Sequence, residues 1–253
     1  VDLIEEVARI LGYDRIPATL PLNASTGGRD LEQNLMLKLK DTCVALGLNE
    51  AVNYSFISPK EADRLGLAPD HPWRTNLTIA NPLSEEQSVM RQSLLPGLLH
   101  AAARNQSRRN LDLRFFETGM IFVPAEQDIQ SRQPVEIPTL GMLLCGRPEE
   151  NWLHQSKEYD FYDLKGMVEL LAIQLGVGPF QFSRCQATYL HPGRSAQISL
   201  DGLTVGYLGE LHPEAAAAYE LTGRVQVAEI SLPSLLLAAG RQENRPHDLP
   251  KYP

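Results

Sequence analysis

Apolar residues recur along this chain at two periods, near four and at two, and the change from one to the other predicts its elements. Leu31, Leu35, Leu39 and Cys43 fall four apart, with Leu46 continuing the stripe and Lys38 and Lys40 off it. That spacing predicts an amphipathic helix over 30–46 with Gly47 as its C-cap. Val52, Tyr54 and Phe56 then alternate with Asn53 and Ser55, which predicts a half-buried strand over 51–57. A short strand over 77–80 is stopped by Asn81-Pro82, and a helical region over 84–105 is punctuated by Pro96-Gly97. Residues 113–123, dense in aromatic and β-branched side chains around Gly119, read as strand, as do 140–145. Residues 163–175 read as a helix capped by Gly176.

The sharpest local signal is Asp201-Gly202 between the apolar runs 196–200 and 203–208. Both central positions of a tight two-residue turn need positive φ, so the flanking strands are predicted to be antiparallel. One more strand over 225–230 precedes a final helix opened by Ser231 and Pro233. Hairpin chemistry, irregularly placed helices and no βαβ rhythm predict an α+β fold with a largely antiparallel sheet.

The N-terminal segment is a short helix pattern, with Leu3, Ile4, Val7, Ile10 and Leu11 on its apolar side and Gly12 closing it. Asp2 and Glu5, three apart, have the form of a capping box. Residues 17–28 suit an extended linker, and 240–253 carry three prolines with no apolar period. Both ends therefore read as pieces of connections, and the chain as an excerpt of a longer polypeptide.

Composition narrows the class. The chain has 253 residues, 43% of them hydrophobic and 21% charged, which is globular and long enough for one large domain or two modest ones. Its formal charge of −8 speaks against nucleic-acid binding driven by bulk charge, while leaving room for a local basic patch. Three scattered cysteines, Cys43, Cys145 and Cys185, exclude a disulfide framework or a structural zinc site and suit a reducing cytoplasm. No apolar run reaches the roughly 20 residues that cross a bilayer.

Candidate chemistry is sparse. His191 and Ser195 are close in sequence, and Asp163 or Asp201 could complete a triad. No nucleophile elbow surrounds the serine, so His191-Pro192-Gly193 reads as a turn feeding a strand. The glycines of 141–146 and 202–209 form no phosphate-cradling motif and read as turns and close strand contacts. Asp2, Glu5 and Glu6 sit at i, i+3 and i+4. Hard oxygens grouped in this way suit Mg²⁺, and carboxylates in a first helical turn equally complement the helix dipole. Arg104, Arg108 and Arg109 gather at the end of a helical stretch, a pattern that suits either RNA phosphates or a solvated helix terminus.

Several strings, taken as a set, carry a resemblance. They are Asp2 through Pro17, Asn53-Tyr54-Ser55-Phe56, Asn81-Pro82-Leu83-Ser84, Met90-Arg91-Gln92-Ser93-Leu94-Leu95-Pro96-Gly97-Leu98-Leu99, Phe115-Phe116-Glu117-Thr118-Gly119, Asp160 through Gly166, His191 through Ala196, and Gly209-Glu210-Leu211-His212-Pro213. In this order they resemble the bacterial phenylalanyl-tRNA synthetase β subunit. The resemblance implies that residues 1–17 end a preceding domain, 18–29 link, 30–240 form the class II catalytic-like core module, and 241–253 lead towards an anticodon-binding domain. It also implies a class II synthetase fold, an α subunit that binds ATP and carries the active site, an α2β2 assembly, tRNA(Phe) as the RNA partner and no membrane partner. The family pattern Asp-x5-Asp-x2-Glu-Glu assigns Mg²⁺ to a site shared with the α subunit, and Asp2, Glu5 and Glu6 match its last three members. The helix over 30–46 and the segment after it resemble the class II interface motif, which implies a contact with the α subunit.

Class II chemistry needs fixed cations around a triphosphate. The family pattern places one arginine two residues before a strand glutamate and another after a late strand. Here Arg114 stands three residues before Glu117, an odd step that puts the two on opposite faces of a strand, and Ile230 stands where the second arginine is expected. The resemblance therefore implies a non-catalytic module, with a ligase-shaped hollow that lacks its guanidinium pair. Two other readings remain. One is an independent ATP-dependent ligase of the biotin or lipoate kind, for which no lysine sits in a glycine-rich loop. The other is a nucleic-acid-binding module built on the three arginines.

Overall fold

The computed structural model describes residues 1–19, 27–125, 133–148, 152 and 157–240; the expected connection over 241–253 lies outside them, as does part of the linker over 18–29. The chain divides into two units, Val1–Asp30 and Leu31–Pro253.

The first unit is helix α1 (Asp2–Leu11), ended by Gly12 at φ +88°, and a following 3-10 turn. Val1, not Asp2, is the N-cap, and no side chain caps the helix. The capping box expected from Asp2 and Glu5 is therefore absent: Asp2 already lies inside the first turn, where its carboxylate complements the dipole without closing a bond.

In the second unit, α2 (Leu31–Ala45) buries Leu39 and Cys43, packs Leu35 against the same core and leaves Leu31 exposed, so the expected stripe holds from Leu35 onward. Burial raises the Cys43 thiol to about 12, with the nearby charge of Glu50 adding to it, so it packs as an unreactive apolar group. Next come β1 (Asn49–Glu50), β2 (Phe56–Ile57), the one-turn α3 (Glu61–Arg64) and β3 (Val89–Met90). Helix α4 (Leu95–Ser107) leads into the long strands β4 (Leu113–Val123) and β5 (Val135–Cys145). Helix α5 (Phe161–Leu175) is closed at one end by an Asp160/Asp163 capping box and at the other by left-handed Gly176. The chain continues through β6 (Gln181–Arg184), β7 (Leu190–Leu200), β8 (Leu203–Leu211), α6 (Pro213–Ala218), β9 (Val225–Ser231) and α7 (Leu232–Gly240).

Seven strands form one sheet in the order β1-β4-β5-β9-β8-β7-β6, antiparallel throughout except for the β1–β4 edge. The α+β expectation holds. Asp201 and Gly202, at φ +51° and +80°, make the expected turn between β7 and β8. Leu39, Leu164, Val168, Leu232 and Leu235 of α2, α5 and α7 cover one face, over Phe116, Met142, Leu208 and Ile230. Leu95, Leu98, Leu99 and Ala102 of α4, with Ala62 of α3 and Ala215 of α6, cover the other face, over Leu113, Leu143, Val225 and Val227.

Three local expectations are corrected. Only the ends of 51–57 border strand pairings, and the alternation there is inverted: Val52 and Tyr54 are 90% and 76% exposed. Asn53 turns inward because its amide reaches the buried Glu117 at 2.6 Å. Residues 77–80 contribute a single bridge, Thr78 to Val89. The helical region over 84–105 is a 3-10 turn, β3 and then α4. Pro96 falls within the first turn of α4, where its missing N–H costs no helical bond.

Candidate functional site

The sheet face beneath α4 carries Glu117, the strand glutamate weighed in the sequence, and its interior is closed by this chain's own side chains. On β4, Leu113 and Phe115 join the core under α4 while Phe116 joins the opposite core. Glu117 shares the α4 face and meets Arg91 at 2.6 Å, with side chains 3% and 6% exposed respectively. Arg91 also donates to the Met120 carbonyl at 2.9 Å. Its guanidinium is thus spent inside the fold. The position two residues before Glu117 holds Phe115, and Arg114 turns to the other face, where a Cβ added at Gly47 would lie 3.3 Å from its Nη1. The parity argument from sequence holds. Ile230, at the second expected arginine, is fully buried in the opposite core.

Glu229 of β9 is the least expected group on this face. Its Oε2 accepts from Ser93 Oγ at 2.6 Å and from the Leu94 N–H at 2.9 Å, so the sheet caps the N-terminus of α4. Burial pushes its carboxyl up to about 7, against the lowering effect of those hydrogen bonds and of Arg91. Tyr207 lies directly across from it in the β8–β9 ladder. Trp73 stacks on Tyr189 with ring centroids 5.5 Å apart, and Tyr189 meets Tyr207 edge-on at 5.5 Å.

Among the described residues, α4 packs where the hollow was expected. At Gly141 of β5, an added Cβ would stand 2.8 Å from Leu98 Cδ1, so α4 lies directly on the sheet. The cavity beside it, between Trp73, Gln92, Ser93 and Glu61, measures about 30 Å³, room for about one water. Small-molecule sites take roughly 300–1,000 Å³.

A second polar cluster ties α3 to α4 and to the end of α6. The buried Glu61 carboxylate accepts from Tyr219 at 2.6 Å and Arg64 at 2.8 Å and meets His100 Nε2 at 3.1 Å. Burial works to raise this carboxyl, but His100, Tyr219 and Arg64 outweigh it and hold it below its ordinary value. Glu61, His100 and Arg104 line an open cleft of about 730 Å³.

The remaining candidates separate. Arg104, Arg108 and Arg109 are all exposed at the C-terminal end of α4, with Arg109 at φ +67°. His191, Ser195, Asp163 and Asp201 form no triad. His191 Nδ1 accepts from the Gly193 N–H at 3.0 Å, Asp163 belongs to the α5 capping box and Asp201 to the hairpin turn. The His191-Pro192-Gly193 stretch lies within β7, at a bulge between Leu190 and Ser195. Asp2, Glu5 and Glu6 lie on α1, where Glu6 pairs with Arg9 at 2.5 Å. No cluster of three His, Cys, Asp or Glu side chains fit to hold a metal occurs among the described residues. The trio has the hard oxygens magnesium prefers but does not by itself close a site.

Sequence reasoning passed over Arg91, Glu117, Glu229 and Glu61 as site residues. Arg91 and Glu117 lay inside the strings that carry the resemblance, and Glu229 carried a local signal, a carboxylate inside the otherwise apolar run Val227-Ala228-Glu229-Ile230.

Comparison with known proteins gives this geometry its context. Residues 16–232 match the family described as the phenylalanyl tRNA synthetase beta chain CLM domain. The chain belongs to this family. It is 42% identical over 258 aligned residues to the phenylalanine–tRNA ligase beta subunit of Moorella thermoacetica, covering 100% of the chain and 31% of that protein. It is 38% identical to that of Listeria innocua, covering 100% of the chain and 30% of that protein. The CLM-domain chain thus spans about a third of the length of these relatives. In fold, it is similar to pyrrolysyl-tRNA synthetase from Desulfitobacterium hafniense, with a TM-score of 0.64 at 17% identity, covering 83% of the chain and 69% of that structure. The CLM chain therefore carries a synthetase-type fold whose sheet face is filled by α4, Arg91 and Glu229. Among its described residues no helix is long and apolar enough to cross a membrane.

Proposed function

We propose that this chain is a non-catalytic module of a phenylalanine–tRNA ligase β subunit, which supports a catalytic α subunit and helps position tRNA(Phe) during ATP-dependent aminoacylation in the cytoplasm. One observation carries the reading. The face that would bind a nucleotide is closed by Leu94 and Leu98 and by a buried Arg91–Glu117 pair, and Phe115 stands at the strand position of the expected arginine. Removing one such charge contact from a transition state costs about 10²- to 10³-fold in rate, and here the space for the nucleotide is filled as well.

On this reading ATP belongs to the α subunit, and the assembly is α2β2. The surface that supports the partner comprises α2 and the outward side of the segment between β1 and β2, where Val52 and Tyr54 are exposed. Asp2, Glu5 and Glu6 would hold Mg²⁺ only together with donors from elsewhere in the assembly; the ion's chemistry is to neutralise polyphosphate charge.

Phenylalanine-dependent ATP/pyrophosphate exchange tests the proposal. The purified chain alone is expected to stay at background, and co-expression with an α subunit to yield a co-purifying complex. Exchange by the chain alone well above background would overturn the reading and favour an independent ligase of the biotin or lipoate kind.

A further inference from the structure

The end of the sheet at which α4 runs into β4 collects arginines from separate parts of the sequence. Arg104 and Arg108 stand one turn apart on one side of α4, and Arg109 follows in the left-handed turn. The fourth comes from the far end of β5. Leu113 pairs with Cys145, so the chain leaving β5 passes beside the chain entering β4. The Arg147 N–H donates to Asp112 Oδ1 at 2.7 Å, and an added Cβ at Gly146 would stand 2.5 Å from the Leu111 carbonyl oxygen. Arg147 is thus fixed beside Leu111 and Asp112, two and three residues after Arg109, and sequence spacing gave no sign of it.

All four side chains are exposed, and none has an acidic partner among the described residues. This contrasts with the other arginines of the same end: Arg194 and Arg224 both engage Glu210, at 2.7 and 3.4 Å. The backbone that carries the four is held in place. The Arg109 N–H donates to the Gln106 carbonyl and Asn110 to that of Asn105. Gln106 clasps Thr222 through its backbone N–H at 2.9 Å and through its hydroxyl and carbonyl. Among the described residues Asp112, Glu158 and Glu220 are carboxylates close to these arginines in the fold: Asp112 is engaged by the Arg147 backbone, Glu158 precedes Tyr159, whose N–H donates to the Gly146 carbonyl, and Glu220 lines the cleft beside Arg104. In a chain with net charge −8, a rim of four guanidiniums with no ion pair among the described residues is a local reversal of the field. Its chemistry is that of phosphate recognition: planar, always charged forks suited to paired phosphate oxygens.

We propose that Arg104, Arg108, Arg109 and Arg147 form a docking rim for the phosphodiester backbone of RNA. The rim would position the strand without reading its bases, since phosphate contacts fix register and carry no sequence information. RNA as the occupant rests on the β-subunit reading above; the electrostatic rim does not.

The test is fluorescence anisotropy of a labelled tRNA transcript titrated with the purified chain between 50 and 200 mM salt. Four phosphate contacts predict a loss of roughly 50- to 150-fold in affinity across that range. Each single Arg→Ala change should reduce the slope of log K against log salt by about one, with Arg147→Ala counting as much as Arg108→Ala. Arg184→Ala, on the far edge strand, should change nothing, and an unrelated RNA duplex should bind with the same slope. No tRNA binding at 50 mM salt would overturn the proposal. So would a slope unmoved in the quadruple variant with unchanged circular dichroism, or binding to anionic vesicles in preference to RNA. Co-purification of the quadruple variant with an α subunit separates the two readings. Retained α binding with lost RNA binding supports the rim, whereas RNA binding unmoved by the substitutions refutes the rim and leaves the scaffold proposal standing.

Discussion

Glu229→Gln is the substitution that most directly tests how the interior of the α4 face is built. The native carboxyl sits at about 7 instead of 4.5 because burial disfavours its charge more than Ser93, Leu94 and Arg91 restore it. At about 1.36 kcal/mol per pH unit, the ionised form is about 3 kcal/mol less favourable in the native state than in the unfolded chain. The sign follows from linkage. The native state holds this proton more tightly than the unfolded state, so Glu229's contribution is undiminished below about pH 4.5 and is lost as pH rises through about 7. Glutamine keeps an oxygen that can accept from Ser93 and Leu94 and carries no charge at any pH. Urea unfolding of both proteins from pH 5 to 8 should therefore show the variant about 1 kcal/mol more stable than wild type at pH 5 and about 3 kcal/mol more stable at pH 8, the gap widening by roughly 2.5 kcal/mol across the range. Other titrating groups, Glu61 among them, affect both proteins alike and cancel in the difference. A difference that stays flat with pH, or a variant that is less stable at pH 8, would refute the account of Glu229 as a buried charge imposed on an apolar face.

Removing Arg91 alone by Arg91→Ala should cost about 3–5 kcal/mol, since it strands the Glu117 charge, whereas the paired change Arg91→Met with Glu117→Leu should recover most of that stability; urea midpoints of the three proteins check this. Tyr219→Phe deletes the 2.6 Å donor to Glu61 and should lower stability by about 1.5–3 kcal/mol at pH 7. Because the Glu61 carboxyl is held low, its contribution is present above its unfolded value and lost on acidification, so the loss in Tyr219→Phe should shrink as pH falls below 4 in thermal melts. Gly141→Leu would drive a side chain into the space of Leu94 and Leu98. It should destabilise the chain by at least about 1–3 kcal/mol while leaving pyrophosphate exchange at background.

What the sequence revealed and what it concealed divide along one physical line, the distance over which an interaction is decided. Asp201-Gly202, Gly176 and the run over 113–123 were legible because turn chemistry and strand period are settled within a few neighbours. Strand parity is equally local, so the separation of Arg114 from Glu117 could be read without a structure. The inversion at 51–57 could not. Alternation states that two faces differ, but which face is inward was decided by Glu117, 64 positions away, whose carboxylate binds the Asn53 amide. Glu229 depends on Ser93 across 136 positions, and the arginine rim gains Arg147 through a ladder joining β4 to β5. The same division bears on the face where the hollow was expected. The absence of an arginine from a spacing pattern can be read locally, but what packs at that position is recruited from distant segments. Here Arg91, Leu94 and Glu229 fill the sheet face through bonds to one another, to Glu117 and to the helix end. Buried strand positions must be covered, and α4 covers those of this face with one poorly solvated carboxylate beneath its N-terminal end.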